Sequence, residues 1–288
     1  MTARAETIQV KDGRTGVLLI HGLGGSPAEL QFVGHGLTRA GLRVVCPNLP
    51  GHGGSDDELQ ATSWTDWYQS AATSLEELAK SCDTVLVGGL STGAVLSLLL
   101  AADHPDKVQG IALYSPSLWL SGRHVPWYMP LFRLINFKPL ANRFKFPLPD
   151  HVGIKDQRIR DLARSANGGV PLPVASPAGA VLERRRLAKV VMGRLQAIRQ
   201  PALIVHARED DYAGLDNAAY LQRQLSGRVD LTVLDDSYHM VTVDRQRDVV
   251  IERTLAFTGR VAAAVRDTRA RANWAGRVEQ LKLRSPAA

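Results

Sequence analysis

The sequence has little cysteine, no long apolar run and no phosphate-cradling glycine loop. Of its 288 residues only Cys46 and Cys82 are cysteines, and neither sits in a C-x-x-C pattern. That removes zinc ribbons and dithiol redox chemistry. Each borders an apolar run, so both are expected as buried thiols rather than as a disulfide. A chain of this length buries most of its surface and needs no covalent staple. No apolar stretch approaches the ~18 residues that span a bilayer. The opening MTARAETIQVKDGRTG lacks the apolar core of a secretory leader. A soluble, cytoplasmic protein is the expectation. The glycine runs HGLGG and PGHGGS match neither G-x-G-x-x-G nor a GK[ST] loop, which argues against nucleotide binding.

Positive charge is in excess, with 35 Lys and Arg against 28 Asp and Glu. The excess falls in two regions. One is Glu183–Arg199, with Arg184, Arg185, Arg186, Lys189, Arg194 and Arg199. The other begins at Arg260 and holds Arg266, Arg269, Arg271, Arg277, Lys282 and Arg284. No aromatic residues interleave with these runs as a base-stacking platform requires, so nucleic acid is not an expected partner. A basic face still permits weak contact with an anionic membrane or an acidic carrier.

Short apolar runs alternate with helical patterns. The expected strands are Thr15–Ile20, Leu42–Cys46, Thr84–Gly88, Val108–Tyr114, Ala202–Ala207 and Asp230–Leu234. They do not alternate apolar with polar, as befits strands covered on both faces. Helical patterns cover Ala28–Ala40, Trp64–Lys80, Ala94–Asp103, Asp216–Leu225 and Arg245–Phe257. The rhythm predicts an α/β fold with a doubly wound, mostly parallel sheet. Between Ser117 and Gln200 no strand is expected. Residues 117–150 there hold Trp119, Trp127, Tyr128, Phe132, Phe137, Phe144 and Phe146, seven of the chain's 17 aromatics. Such residues glue an insertion to the sheet and line a pocket beneath it. Asn167–Ala178 reads as a loop. The expected division is a core of residues 1–116 and 198–258, an inserted and mainly helical cap at 117–197, and a basic helix or tail at 259–288.

The most informative run is TVLVGGLSTGAVLSLLLAAD. A β-rich segment meets Gly89-Leu90-Ser91-Thr92-Gly93, and a helix follows at once. In that setting G-x-S-x-G is a nucleophile elbow, a strained turn that lifts the Ser91 hydroxyl above the sheet edge. Positions two before and two after the serine crowd neighbouring backbone and must be tiny, as Gly89 and Gly93 are. A serine hydroxyl needs a base, and the base needs an orienting carboxylate. The chain order in this fold is Ser, acid, His. His239, in the loop DDSYH after a strand, is the expected base. His206 lies inside a strand and precedes the acids. The acid should follow Ala202–Ala207, where Glu209, Asp210 and Asp211 stand together. Asp210 is preferred, with Asp211 second and Glu209 third, while Asp235 and Asp236 read as solvated loop residues. Backbone N–H groups of Thr92 and Leu23 are the expected oxyanion donors. His21 and His52 read as residues that brace their glycine-rich turns.

HGLGGSP, LPGHGGS, GLSTG and the pair AREDD with SYHMVTVD, in that order, resemble the monoacylglycerol-lipase and bacterial-carboxylesterase branch of the α/β-hydrolase superfamily. The resemblance spans about residues 14–118 and 198–258, and leaves 117–197 without a counterpart. It implies Asp210 as acid, His239 as base, and Leu23 and Thr92 as oxyanion donors. One departure is Ala94, where many members carry a second glycine. The implied function is hydrolysis of small carboxylic esters with an apolar acyl group, through an acyl-enzyme on Ser91 that needs no metal or organic cofactor. A thioesterase or acyltransferase would use the same residues on acyl-CoA or a carrier. A non-catalytic binding protein of this fold would not require all three.

Overall fold

The computed structural model describes residues 6–8, 14–122, 125, 127–147, 151, 153–164 and 175–284. In chain order the strands are β1 (Glu6–Ile8), β2 (Thr15–Ile20), β3 (Arg43–Cys46), β4 (Thr84–Leu90), β5 (Gly110–Tyr114), β6 (Lys145–Pro147), β7 (Ala175–Pro177), β8 (Ala202–Ala207) and β9 (Val229–Leu234). The α-helices are α1 (Gln31–Arg39), α2 (Asp56–Ala61), α3 (Trp64–Ala79), α4 (Thr92–Asp103), α5 (Lys138–Ala141), α6 (Gln157–Arg164), α7 (Ala178–Met192), α8 (Leu215–Gln224) and α9 (Arg247–Arg284). One sheet has the order β1-β3-β2-β4-β5-β8-β9. All its pairings are parallel except that of β1 with β3. This is the doubly wound α/β fold.

Alternate side chains of the inner strands enter two cores. Leu18, Val85, Val87, Ile111 and Ile204 pack with α3, α4 and α7. Val17, Leu19, Leu86, Ala112 and Val205 pack with α1 and α9. Both faces of the strands are therefore dry, which explains their uninterrupted apolar runs. β4 lies mid-sheet and is buried along its whole length. It delivers the chain to the sheet's C-terminal edge, where ligands bind in open α/β folds. Local signals set the helix entries. Ser55 Oγ accepts the Glu58 N–H at 3.3 Å while Glu58 accepts the Ser55 N–H at 2.7 Å, a capping box opening α2.

Three expectations need correction. Residues 117–200 do hold strands, for β6 and β7 pair antiparallel. Each has three residues and carries a proline, too little for a period to show in sequence. Of the loop expected at Asn167–Ala178, residues 167–174 lie outside the described set, while 175–177 form β7 and Ala178 opens α7. Cys46 is buried, but Cys82 is only half-buried, and neither forms a disulfide. Cys82 stands at the end of a helix-to-strand turn, where solvent reaches one side. The helical pattern that ends near Phe257 and the basic stretch expected as a helix or tail form one helix that runs unbroken to Arg284. Arg260 and Arg269 anchor it to Asp230 and Asp83. No helix among the described residues is long and apolar enough to cross a membrane.

Candidate active site

The turn after β4 is strained. Ser91 has φ 55° and ψ −112°, a region that L-residues avoid. Its N–H donates to Tyr114 O at 2.9 Å, and its carbonyl accepts the first helical bond of α4 from Val95. A Cβ on Gly89 would stand 2.5 Å from Ile20 O, and one on Gly93 only 1.9 Å from it. Neither position admits a side chain, so backbone packing fixes where the serine points. Ser91 Oγ lies 3.2 Å from Ser117 Oγ. Thr92, at the first position of α4, is buried. Among the described residues the N–H groups of Thr92 and Leu23 meet no protein acceptor.

The turns after β8 and β9 bring Asp210 and His239 together. Asp210 Oδ2 lies 2.8 Å and Oδ1 3.0 Å from His239 Nδ1. Asp210 Oδ1 also accepts the N–H groups of Tyr212 and Ala213 at 2.9 and 2.8 Å. His206, fully buried, donates to Ala213 O at 2.6 Å and lies 3.3 Å from Asp210 Oδ2. Sequence order set His206 aside as a base, and the structure makes it a brace for Asp210. Burial alone would raise the Asp210 carboxyl, yet His239 and His206 hold it far below the ordinary range. Burial likewise disfavours a charged His239, but the Asp210 carboxylate outweighs it and the net shift is upward.

The other carboxylates have separate tasks. Asp211 Oδ1 accepts the backbone N–H of His239 at 3.2 Å, and Oδ2 lies 3.2 Å from His151 Nδ1. Asp211 thus holds the main chain of the histidine and Asp210 holds its ring. Glu209 pairs with Lys155, Asp235 with Arg208, and Asp236 with Lys155 and Arg245.

His21 and His52 pin the glycine turns. His21 Nε2 accepts the Leu49 N–H at 3.1 Å, and its Nδ1–H donates to Gly22 O at 2.9 Å. Burial, helped by His52, pushes its pKa down to about 3, which keeps this ring neutral. His52 donates to Pro50 O at 3.0 Å.

Glu29 was not anticipated. Ser26-Pro-Ala-Glu29 has the spacing of a capping box, but the Glu29 carboxylate turns back and accepts the Gly22 N–H at 2.8 Å. A Cβ on Gly22 would meet this carboxylate at 3.2 Å and Ser91 Cβ at 3.7 Å. Burial raises the Glu29 pKa to about 7, against the opposing pull of the Gly22 N–H and of His239. The apparent helix cap was the signal, and only the path of the preceding loop redirects it.

Two adjacent elements form a hydrophobic, basic wall, which begins one residue after Ser117. The segment after β5 and the helix α7 enclose a cavity of about 840 Å³. Of the seven aromatics expected to glue or line this region, Trp119 and Phe132 line the cavity, while Trp127, Phe137 and Phe144 are exposed. Among the described residues no cluster of His, Cys, Asp and Glu has the form of a metal site.

The family described as serine aminopeptidase S33 matches residues 11–246. The chain belongs to that family. Within it the chain is an α/β-hydrolase of the lipase and esterase type. It is 29% identical to a thermostable monoacylglycerol lipase of Bacillus sp. (strain H-257), covering 88% of this chain and 94% of that one. It is 24% identical to a carboxylesterase of Bacillus subtilis (strain 168), over 86% and 93% of the two chains. Among solved structures, one described under the metagenome-derived lipolytic enzymes LipS and LipT superposes with a TM-score of 0.75 at 27% identity, over 89% and 98% of the chains. A soluble variant of the monoglyceride lipase of Saccharomyces cerevisiae gives the same TM-score at 15% identity, over 89% of each chain, and shares the fold.

Proposed function

We propose that this S33-family hydrolase cleaves small carboxylic esters through a Ser91–His239–Asp210 triad. The observation that carries the reading is the 2.8 Å contact of Asp210 with His239 Nδ1, made at the same sheet edge as the strained Ser91 turn. His239 takes the Ser91 proton as the hydroxyl attacks the ester carbonyl. Asp210 fixes the imidazole tautomer and stabilises the imidazolium. The N–H groups of Leu23 and Thr92, unclaimed by the protein, stabilise the oxyanion. His239 returns the proton to the departing alcohol, and water then releases the acid from Ser91. No step calls for a metal or organic cofactor. Residues 117–197 act as a cap, and its apolar cavity favours an apolar acyl group. The relatives named for monoacylglycerol and carboxylic ester hydrolysis support that substrate class. Two thiols outside any disulfide fit a cytoplasmic setting.

A carrier-docking thioesterase has less support. Arg185 and Arg186 of the cap donate to the carbonyls of Phe132, Ile135 and Asn136, and Arg194 pairs with Asp103. Arg185 and Arg186 thus tie α7 to residues 132–136, and Arg194 ties the region to α4, so these cations already have protein partners.

A panel of p-nitrophenyl esters from C2 to C16 tests the reading. Ser91→Ala should lose about three or more orders of magnitude in kcat. Turnover unchanged by that substitution would refute it.

A further inference from the structure

Arg184 of α7 is a buried arginine that the protein binds, among the described residues, through a single carbonyl. It is 7% exposed and lines the cavity between the segment after β5 and α7. Its Nη1 donates to Ser117 O at 2.9 Å. No carboxylate pairs with it among the described residues, whereas Arg186 has Glu183 and Arg194 has Asp103. A brace for one carbonyl needs only a neutral donor. A full cation out of water without a counter-charge is costly and calls for an anion.

The surroundings agree. The cavity is walled by Leu118, Trp119, Phe132, Val181 and Met192, and no Asp or Glu lines it. Arg185, Arg186 and Lys189 add positive charge to the same wall. Glu183, the nearest acid on α7, is turned to Arg186, Lys138 and the Trp64 N–H. Burial, with Arg185 adding like-charge repulsion, lowers Arg184 to about 10, so it stays a cation at neutral pH. Its place relative to the reaction centre is set through a single residue. Ser117 bonds Arg184 through its carbonyl and lies 3.2 Å from Ser91 Oγ through its hydroxyl. The guanidinium is thus within about 10 Å of the nucleophile, the span of a few residues of extended chain.

We propose that the Arg184 cavity is an anion-binding subsite, and that the preferred esters carry a carboxylate or phosphate on their apolar portion. The guanidinium fork suits either oxyanion, and the apolar wall takes the carbon chain between that anion and the scissile carbonyl. This deepens the ester-hydrolase reading and rests on it, because the subsite is placed relative to Ser91.

Two measurements on the full chain test the proposal and keep its failure apart from failure of the esterase reading. The first compares mono-p-nitrophenyl esters of adipic and suberic acid with the neutral hexanoate and octanoate. The anionic esters should be favoured at least tenfold in kcat/KM at one of the two lengths. That ratio should fall at least tenfold in Arg184→Gln, which keeps a donor for Ser117 O, and recover in part in Arg184→Lys. The second is calorimetry on Ser91→Ala with octanoate, octyl phosphate and octanol, which needs no turnover. Either anion should bind at least tenfold tighter than octanol, and the tighter of the two tells carboxylate from phosphate. Arg184→Gln in that background should erase the preference. Equal binding of octanol, or a preference untouched in Arg184→Gln, would overturn the subsite. Arg184-dependent anion binding in a protein that hydrolyses no ester would keep the subsite and remove the esterase reading.

Discussion

At the turn after β4, backbone meets backbone. A Cβ at Gly93 would lie 1.9 Å from a carbonyl, and Ser91 is held at a φ of 55°. In the segment between β5 and β8 the bonds run from long side chains to carbonyls. Arg184 reaches Ser117, Arg185 reaches Phe132 and Ile135, and Arg186 reaches Asn136. Main-chain contacts leave almost no room for substitution. Long flexible donors can be exchanged or re-aimed. Under the proposed function, the part that carries chemistry is built in the first way, and the part that faces the substrate in the second. A single fold can therefore keep one reaction while changing what it acts on.

The sharpest test of that contrast sets two neighbouring carboxylates against each other. Asp210→Asn should lower kcat by roughly three to four orders of magnitude, because it removes the ring partner of His239. Asp211→Asn keeps an acceptor for the His239 N–H and should cost less than about tenfold. The pH profile adds a sign. His239 acts as a base only when neutral, and its pKa lies above the ordinary 6.5, so kcat/KM should fall on the acid side with an inflection above that value. Asp210→Asn removes the largest raising influence and leaves burial, which lowers, against the smaller raising pull of Asp211 and Glu29. Its residual activity should therefore show an inflection moved to lower pH. An unmoved inflection would mean that another group titrates.

Next in size is Gly93→Ala, which drives a methyl into the Ile20 carbonyl and should cost about 3 kcal/mol or more, read as a fall in Tm. A smaller effect belongs to Glu29. Its folded pKa of about 7 exceeds the ordinary 4.5, so the folded state binds a proton more tightly than the unfolded one. Stability should then decline as pH rises from about 4.5 to about 7. Glu29→Gln should remove that decline, making the variant's Tm relative to the native protein higher at pH 8 than at pH 5. The smallest effect is expected at Phe137, 67% exposed on the cap. Phe137→Ala should stay within about 0.5 kcal/mol in stability, and a large loss would contradict its exposed position.

The inner sheet was legible in sequence because its strands are dry on both faces. β2 and β8 begin and end where the apolar runs do. β1 was missed, since three antiparallel residues at an edge carry no pattern. Ala28–Ala40 read as one helix, but Pro27–Leu30 forms a 3₁₀ turn before α1. Ser91, His239 and the acidic run after β8 could be named from motif and chain order. Choosing Asp210 over Asp211 by geometry needed the turn itself, in which adjacent side chains diverge. Glu29 and Arg184 were hidden for a shared reason. Each sits in a pattern with an ordinary meaning, a helix cap and a basic surface run, and only tertiary neighbours change that meaning.

The positive φ of Ser91 also bears on the life history of each molecule. A conformation that the chain resists in isolation persists only once β2, β4 and β5 have closed around it. With Ser91 as the proposed nucleophile, its reactivity would be a product of assembly, and a nascent or partly melted chain would carry an ordinary serine. A covalent serine-directed probe applied to a mixed population would accordingly count finished molecules, not total polypeptide.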